Sequence, residues 1–291
     1  MTITFWTGTT SGDVTDNANW SGDAPADGGI AVVPADASVD MSLSTNVEGI
    51  ELLEFIVEPG CTIAMGDGDS PLRYGLSTSG KVALAGTGDM YLEFGQSTIP
   101  GASKIDITDC GNLFLATAAS TTLGVLANEI NIDGGAGNVY VGWNPDEDAL
   151  VDTIRMTAGA TLYVGDSVTD TLGTILDEIA ASKGTVRNRA NVALLSAKGA
   201  TIYQEDGGVT STNIHSGKVW YNTSSTLHDA TLYDGDLDLT QNVKGCNVTT
   251  VREKGTGVFR DPNNAAAVGT IVEHYGKGDW GSGRKFTSAA I

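Results

Sequence analysis

The chain has 291 residues, only 18% of them charged and 38 of them glycine, and its 36 acidic and 16 basic side chains leave a formal net charge of −20. That charge argues against a nucleic-acid partner, since backbone binding rests on Lys and Arg displacing counterions. No apolar run of about 18 residues is present to cross a membrane, and the abundance of Gly, Thr, Ser, Asp and Asn with little helical periodicity predicts an all-β protein of short strands and tight turns.

The first 35 residues differ in texture from the rest. They hold Trp6, Gly8, Asn19-Trp20, Gly22 and Pro25, followed by the apolar run Ile30 to Val33. Residues 1–49 are read as a cap, in which bulky rings close the first rung of a stacked core. Met1 to Trp6 shows no basic region followed by an apolar core, so the expectation is synthesis in a cytosol without a secretory signal. Three widely spaced cysteines, Cys61, Cys110 and Cys246, fit a reducing compartment.

From about residue 50 to 250 a short phrase recurs, a glycine and then an apolar-x-apolar triplet. It is found at Met90-Tyr91-Leu92, Leu113-Phe114-Leu115, Val139-Tyr140-Val141 and Leu162-Tyr163-Val164, then at Ile202-Tyr203, Val219-Trp220 and Leu237-Asp238-Leu239. The gaps are 23, 26, 23, 40, 17 and 18 residues, the 40 reading as two turns together. Self-similarity on this scale predicts a single parallel β-solenoid; tandem β-sandwiches are the alternative. In a strand the outer residues of a triplet face one side and the middle residue the other. The aliphatic positions therefore line the core. Tyr91, Phe114, Tyr140, Tyr163, Tyr203 and Trp220 form an outward aromatic ladder, open to three readings: a subunit seam, a glycan strip, or a surface covered by the chain's own terminal segments.

One interruption stands out. Leu172, Ile175, Leu176 and Ile179 fall at helical spacing behind Asp170, which predicts a short helix within residues 170–182. Arg187-Asn188-Arg189, the only concentration of positive charge in the middle of the chain, is read as a surface loop or a contact to an acidic partner. Residues 251–291 read as a glycine-rich arm or cap, with Trp280 and Phe286 as candidate anchors.

Catalytic and metal motifs are not found. There is no Gly-x-Ser-x-Gly, no phosphate-binding loop and no His-Glu-x-x-His. Asp67-Gly68-Asp69 and Asp234-Gly235-Asp236 lack the ligand spacing of a calcium loop and read as solvated turns. Of the three histidines, His215 is placed by a one-rung offset near Tyr233 or Asp234. The column Asp106, Asn131 and Arg155 offers an acid, an amide and a base rather than the paired carboxylates that glycoside hydrolysis requires. No cofactor, no metal and no catalytic residue is expected.

The Trp-x-Gly, Asn-Trp-x-Gly, Pro and apolar-strand pattern of the first 35 residues resembles the segment that opens bacterial surface proteins with autotransporter-type β-strand repeats. The resemblance implies a right-handed β-solenoid with a capped N-terminus. The expectation is a chain that departs from the family in carrying neither its signal peptide nor its membrane barrel. In general character, acidic, glycine-rich and without an anchor, the chain is also similar to phage virion decoration proteins, fibres and tailspikes. The expectation is a non-enzymatic virion protein, a homotrimer decorating a capsid or tail surface, with capsid or other virion proteins as partners. Alternatives are a glycan-binding or glycan-cleaving tailspike and a cell-surface adhesin.

Overall fold

A computed structural model of the chain describes residues 1–42, 50–95, 102–117, 125–135, 137–143, 150–165 and 176–272. The chain divides into two compact units, Met1–Thr174 and Ile175–Ile291.

Unit 1 contains β1 (Ile3–Phe5), β2 (Ile30–Val33), β3 (Glu51–Val57), β4 (Leu72–Ala85), β5 (Met90–Gly95), β6 (Lys104–Asp109), β7 (Leu113–Thr117), β8 (Val125–Ile132), β9 (Asn138–Val141), β10 (Leu150–Met156) and β11 (Thr161–Val164). Two stacks of parallel strands run through it. One joins β1, β2, β3, β4, β6, β8 and β10; the other joins β4, β5, β7, β9 and β11.

Unit 2 contains β12 (Leu176–Ala181), β13 (Thr185–Asn188), β14 (Val192–Gln204), β15 (Val209–Tyr221), β16 (Leu227–Leu232), β17 (Asp236–Asp238), β18 (Cys246–Glu253), β19 (Phe259–Arg260) and β20 (Ala266–Val272). Here β12, β14, β15, β16, β18 and β20 form one parallel stack, and β13, β14, β15, β17 and β19 the other. Each unit is thus a parallel β-solenoid. Sandwich hairpins are ruled out for the described strands, whose pairings within each unit are all parallel.

The repeat is legible in the core. Met90, Leu113, Val139 and Leu162 lie in register and are fully buried, as are Ile105, Ile130 and Ile154 on the other stack. Burying such a column removes it from water on both sides, at roughly 25 cal/mol per Å² of apolar surface. The glycine of the phrase has a steric cause: a Cβ on Gly137 would overlap the carbonyl oxygen of Gly111, one coil away.

Several strands bury positions i, i+3 and i+5 rather than alternating: Leu52, Phe55 and Val57 in β3, and Val151, Ile154 and Met156 in β10. Two residues in a row face outward after the first, so the strand bends round a corner there. This corrects the helix expected over residues 170–182. Leu176, Ile179 and Ala181 follow the same pattern in β12, which pairs with β14 from Leu176↔Val192 to Ala181↔Ala197. An i to i+3 spacing produced by a β-corner looks helical in sequence, and parallel pairing decides the matter. Residues 170–175 lie outside the described set.

The loop expected at Arg187-Asn188-Arg189 is likewise corrected, because Arg187 and Asn188 belong to β13. Val186 pairs with Ile202 and supplies the turn hidden in the gap of 40. Parallel stacking also extends beyond residues 50–250: β1 and β2 lead into β3, and β20 pairs with β18 as far as Val272.

The opening motif builds a buried knot. Trp6 and Trp20 meet edge to face, with centroids 5.2 Å apart, and donate their indole N–H groups to the carbonyls of Val39 and Val14. Asn19, fully buried, accepts from the backbone N–H groups of Thr10 and Ser11 and donates to Ser11 Oγ and the Asp13 carbonyl.

Candidate assembly surface

In unit 1 the outward ladder is real. Tyr91, Phe114, Tyr140 and Tyr163 occupy one register column, each partly exposed, while the flanking Leu92, Val141 and Val164 are buried. Successive centroids are 4.2, 4.6 and 4.6 Å apart, with interplanar angles of 4°, 4° and 9°. Rings so close and so parallel use their faces on one another and turn their edges outward. A sugar ring stacks on an aromatic face, so these internal faces are already taken. What the column turns outward is a row of ring edges, with the hydroxyls of Tyr91, Tyr140 and Tyr163 at three of the four positions, rather than open ring faces.

Trp143 was missed in the sequence, although it follows the Val139-Tyr140-Val141 triplet by only two residues. It flanks the stack, nearly perpendicular to Tyr91 and Phe114, with centroids 5.6 and 5.9 Å from theirs. The chain's own coverage of the ladder thus comes in part from within the solenoid.

Unit 2 carries a different surface. Arg187, Tyr203, Trp220, Asp238 and Arg260 form one register column across β13, β14, β15, β17 and β19. Tyr203 and Trp220 are parallel at 6.2 Å. The Arg187 guanidinium lies 4.9 Å from the Tyr203 centroid, and Lys218 Nζ lies 3.7 Å from that of Trp220. These cations also meet acids: Arg187 and Arg189 share the Glu205 carboxylate at 2.5 and 3.2 Å, and Lys218 reaches Asp238 at 2.6 Å. Burial alone would raise the Asp238 pKa, but hydrogen bonds from Lys218 and Thr240 and the charge of Lys218 outweigh it and hold the carboxyl below its usual range. The remaining sequence candidates, Trp280 and Phe286, lie outside the described residues.

The column of Asp106, Asn131 and Arg155 is in register as expected. Asn131 donates to Asp106 at 2.8 Å, while Arg155 turns to Glu129, which Lys104 also approaches at 3.4 Å. Burial would raise Glu129, yet hydrogen bonds from Asn131 and Arg155 and the charges of Arg155 and Lys104 lower it overall. His215 stacks on Tyr233 at 4.5 Å, a rung apart as the sequence suggested.

Many turn carboxylates tie one coil to the next. Asp27, Asp40, Asp89 and Asp234 accept backbone N–H groups of Glu51, Ala64, Asn112 and Thr256, each 22 to 24 residues on. Asp67 instead accepts from Asp69 and Ser70 within its own turn.

Net charge is divided unevenly. Residues 1–174 contain 24 Asp and Glu against four Lys and Arg, whereas residues 175–291 contain twelve of each, so unit 1 carries the whole −20 and unit 2 none. The whole-chain total conceals this asymmetry.

Compared with protein-family models, with curated proteins and with solved structures, the chain shows no match.

Proposed function

We propose that the chain is a non-enzymatic structural protein of a virus particle, made in host cytoplasm, that assembles with copies of itself and with capsid or other virion proteins to decorate or reinforce the particle surface. The observation that carries this reading is the Tyr91–Phe114–Tyr140–Tyr163 ladder, four partly exposed rings held in register on adjacent parallel strands. Rings fixed in this way lose little freedom on docking, which is the usual cost of forming an interface. The same side chains that a catalytic site would draw on are engaged in holding coil to coil: Asp106 with Asn131, Glu129 with Arg155, and Asp89 with Asn112.

Immunogold labelling of particles purified from lysates of the producing host tests the reading. Gold on the particle surface is expected. Label that never co-purifies with particles, or a purified chain that releases reducing ends from a polysaccharide, overturns it.

A further inference from the structure

We infer that the outer face of β13, β14, β15, β17 and β19 in unit 2 is a self-association surface, whose occupant is the acidic unit 1 of a second copy. The inference deepens the assembly reading above and rests on it for its purpose, though not for its test.

Composition marks this face first. Arg187, Tyr203 and Trp220 stand in one column, with Lys218 and Arg189 on the neighbouring outward positions of β15 and the turn after β13. Arg, Tyr and Trp are the residue types that dominate the energetics of protein interfaces. Here they are held in place. The rings are parallel, the cations lie over them, and Glu205 fixes both guanidiniums at once. Lys244 adds a third cation beside Glu205 by donating to its backbone carbonyl at 3.1 Å.

Charge then selects the occupant. The face holds the cations Arg187, Arg189, Lys218, Lys244 and Arg260 against the acids Glu205, Asp236 and Asp238 with which four of them pair, and so has a cationic excess within a unit of no net charge, while unit 1 carries −20. Exposed carboxylates of unit 1 include Asp36, Asp69, Asp133 and Asp152. Bringing unit 1 against unit 1 of another copy opposes two charges of −20, whereas unit 2 against unit 1 sets a neutral unit with a cationic face against the acidic one, which lessens the repulsion between copies and adds complementary contacts. Because the two contacting surfaces differ, the contact is heterologous, and it closes into a ring, such as a trimer, when the rotation between copies permits.

Sedimentation velocity on the purified full chain tests this without any particle. Oligomers are expected at low ionic strength, dissociating towards monomer at about 1 M salt, where the screening length falls to about 3 Å. The double variant Arg187→Gln with Arg189→Gln is expected to weaken self-association about tenfold or more, with its melting transition monitored in parallel, while Arg155→Gln in unit 1 leaves it unweakened. A chain that is monomeric at every salt concentration, or an oligomer indifferent to both salt and the double variant, overturns the inference. Salt-sensitive oligomers from a protein never found on particles would remove the virion reading and leave this surface standing.

Discussion

Lys218 occupies two relationships at once, lying over the Trp220 indole with Nζ 3.7 Å from the ring centroid and reaching Oδ2 of Asp238 at 2.6 Å. Asp238 is 3% exposed, so removing the ammonium leaves a nearly buried carboxylate with its hydrogen bonds from Thr240 but without Lys218 as ion-pair partner. Lys218→Met keeps the stem but not the charge, and is expected to cost about 2–3 kcal/mol near neutral pH, below the full penalty for breaking a buried pair because Lys218 is partly solvated. The sign with pH follows from the lowered Asp238 pKa. Its contribution is present above the unfolded carboxylate range and is lost as pH falls through the folded value. Urea denaturation of both proteins at neutral and acid pH should show the gap closing in acid; a constant gap would mean that the pair contributes nothing.

The ladder separates inward from outward residues. Val141 is 1% exposed, and Val141→Asp buries a charge and should abolish cooperative melting. Tyr140→Asp or Tyr163→Asp removes outward stacking at about 0.5–1.5 kcal/mol per ring pair, so a folded protein with weakened assembly is expected. Circular dichroism melts of the three variants check it, and equal loss of structure in all three would refute the assignment.

Gly137 and Gly159 precede successive triplets but differ in surroundings. A Cβ at Gly137 overlaps the Gly111 carbonyl, whereas one at Gly159 has nothing within 4 Å. Gly137→Ala should destabilise by about 1–3 kcal/mol or more, as overpacking does, and Gly159→Ala should stay within about 0.5 kcal/mol of the parent. Thermal midpoints of the two variants are the measurement.

Asn19 tests the N-terminal knot. Asn19→Ala leaves the Thr10 and Ser11 amides without their side-chain acceptor, and because both residues are exposed and water replaces part of it, about 1–2 kcal/mol of stability should be lost. A variant that melts with the parent would show that the motif holds nothing together.

Cys61 and Cys110 are buried, and burial pushes both thiols up, Cys110 to about 11 with a further contribution from the Asp109 charge. Alkylation by a soluble maleimide should therefore be slow in the native protein and fast in urea. Rapid native labelling at either position would contradict the packing.

Much of this was legible in the sequence because one physical rule, alternation within stacked strands, sets both the Met90–Leu113–Val139–Leu162 column and the ring column beside it. What misled was geometry that imitates another period: Leu176 and Ile179 are three apart because a strand turns a corner between them. The strand that holds Arg187 was hidden differently, although its charge was plain. Val186 has polar neighbours on either side, Thr185 and Arg187, so the phrase has no aromatic middle residue there, and only pairing with Ile202 and Tyr203 reveals it. Trp143 and Lys218 gave no pattern of their own, since a side chain that packs across a neighbour's ring depends on three-dimensional reach and not on spacing.

The unequal coils carry one last implication. Leu113 comes six positions after Ile107 and Val139 seven after Ile132, yet Leu113 and Val139 arrive in the same column. Bends absorb differences in length that the strands do not feel. A foreign epitope grafted at such a bend would leave the frame undisturbed only where it spares the close approaches at Gly111 and Gly137 and the tie between Asp89 and Asn112.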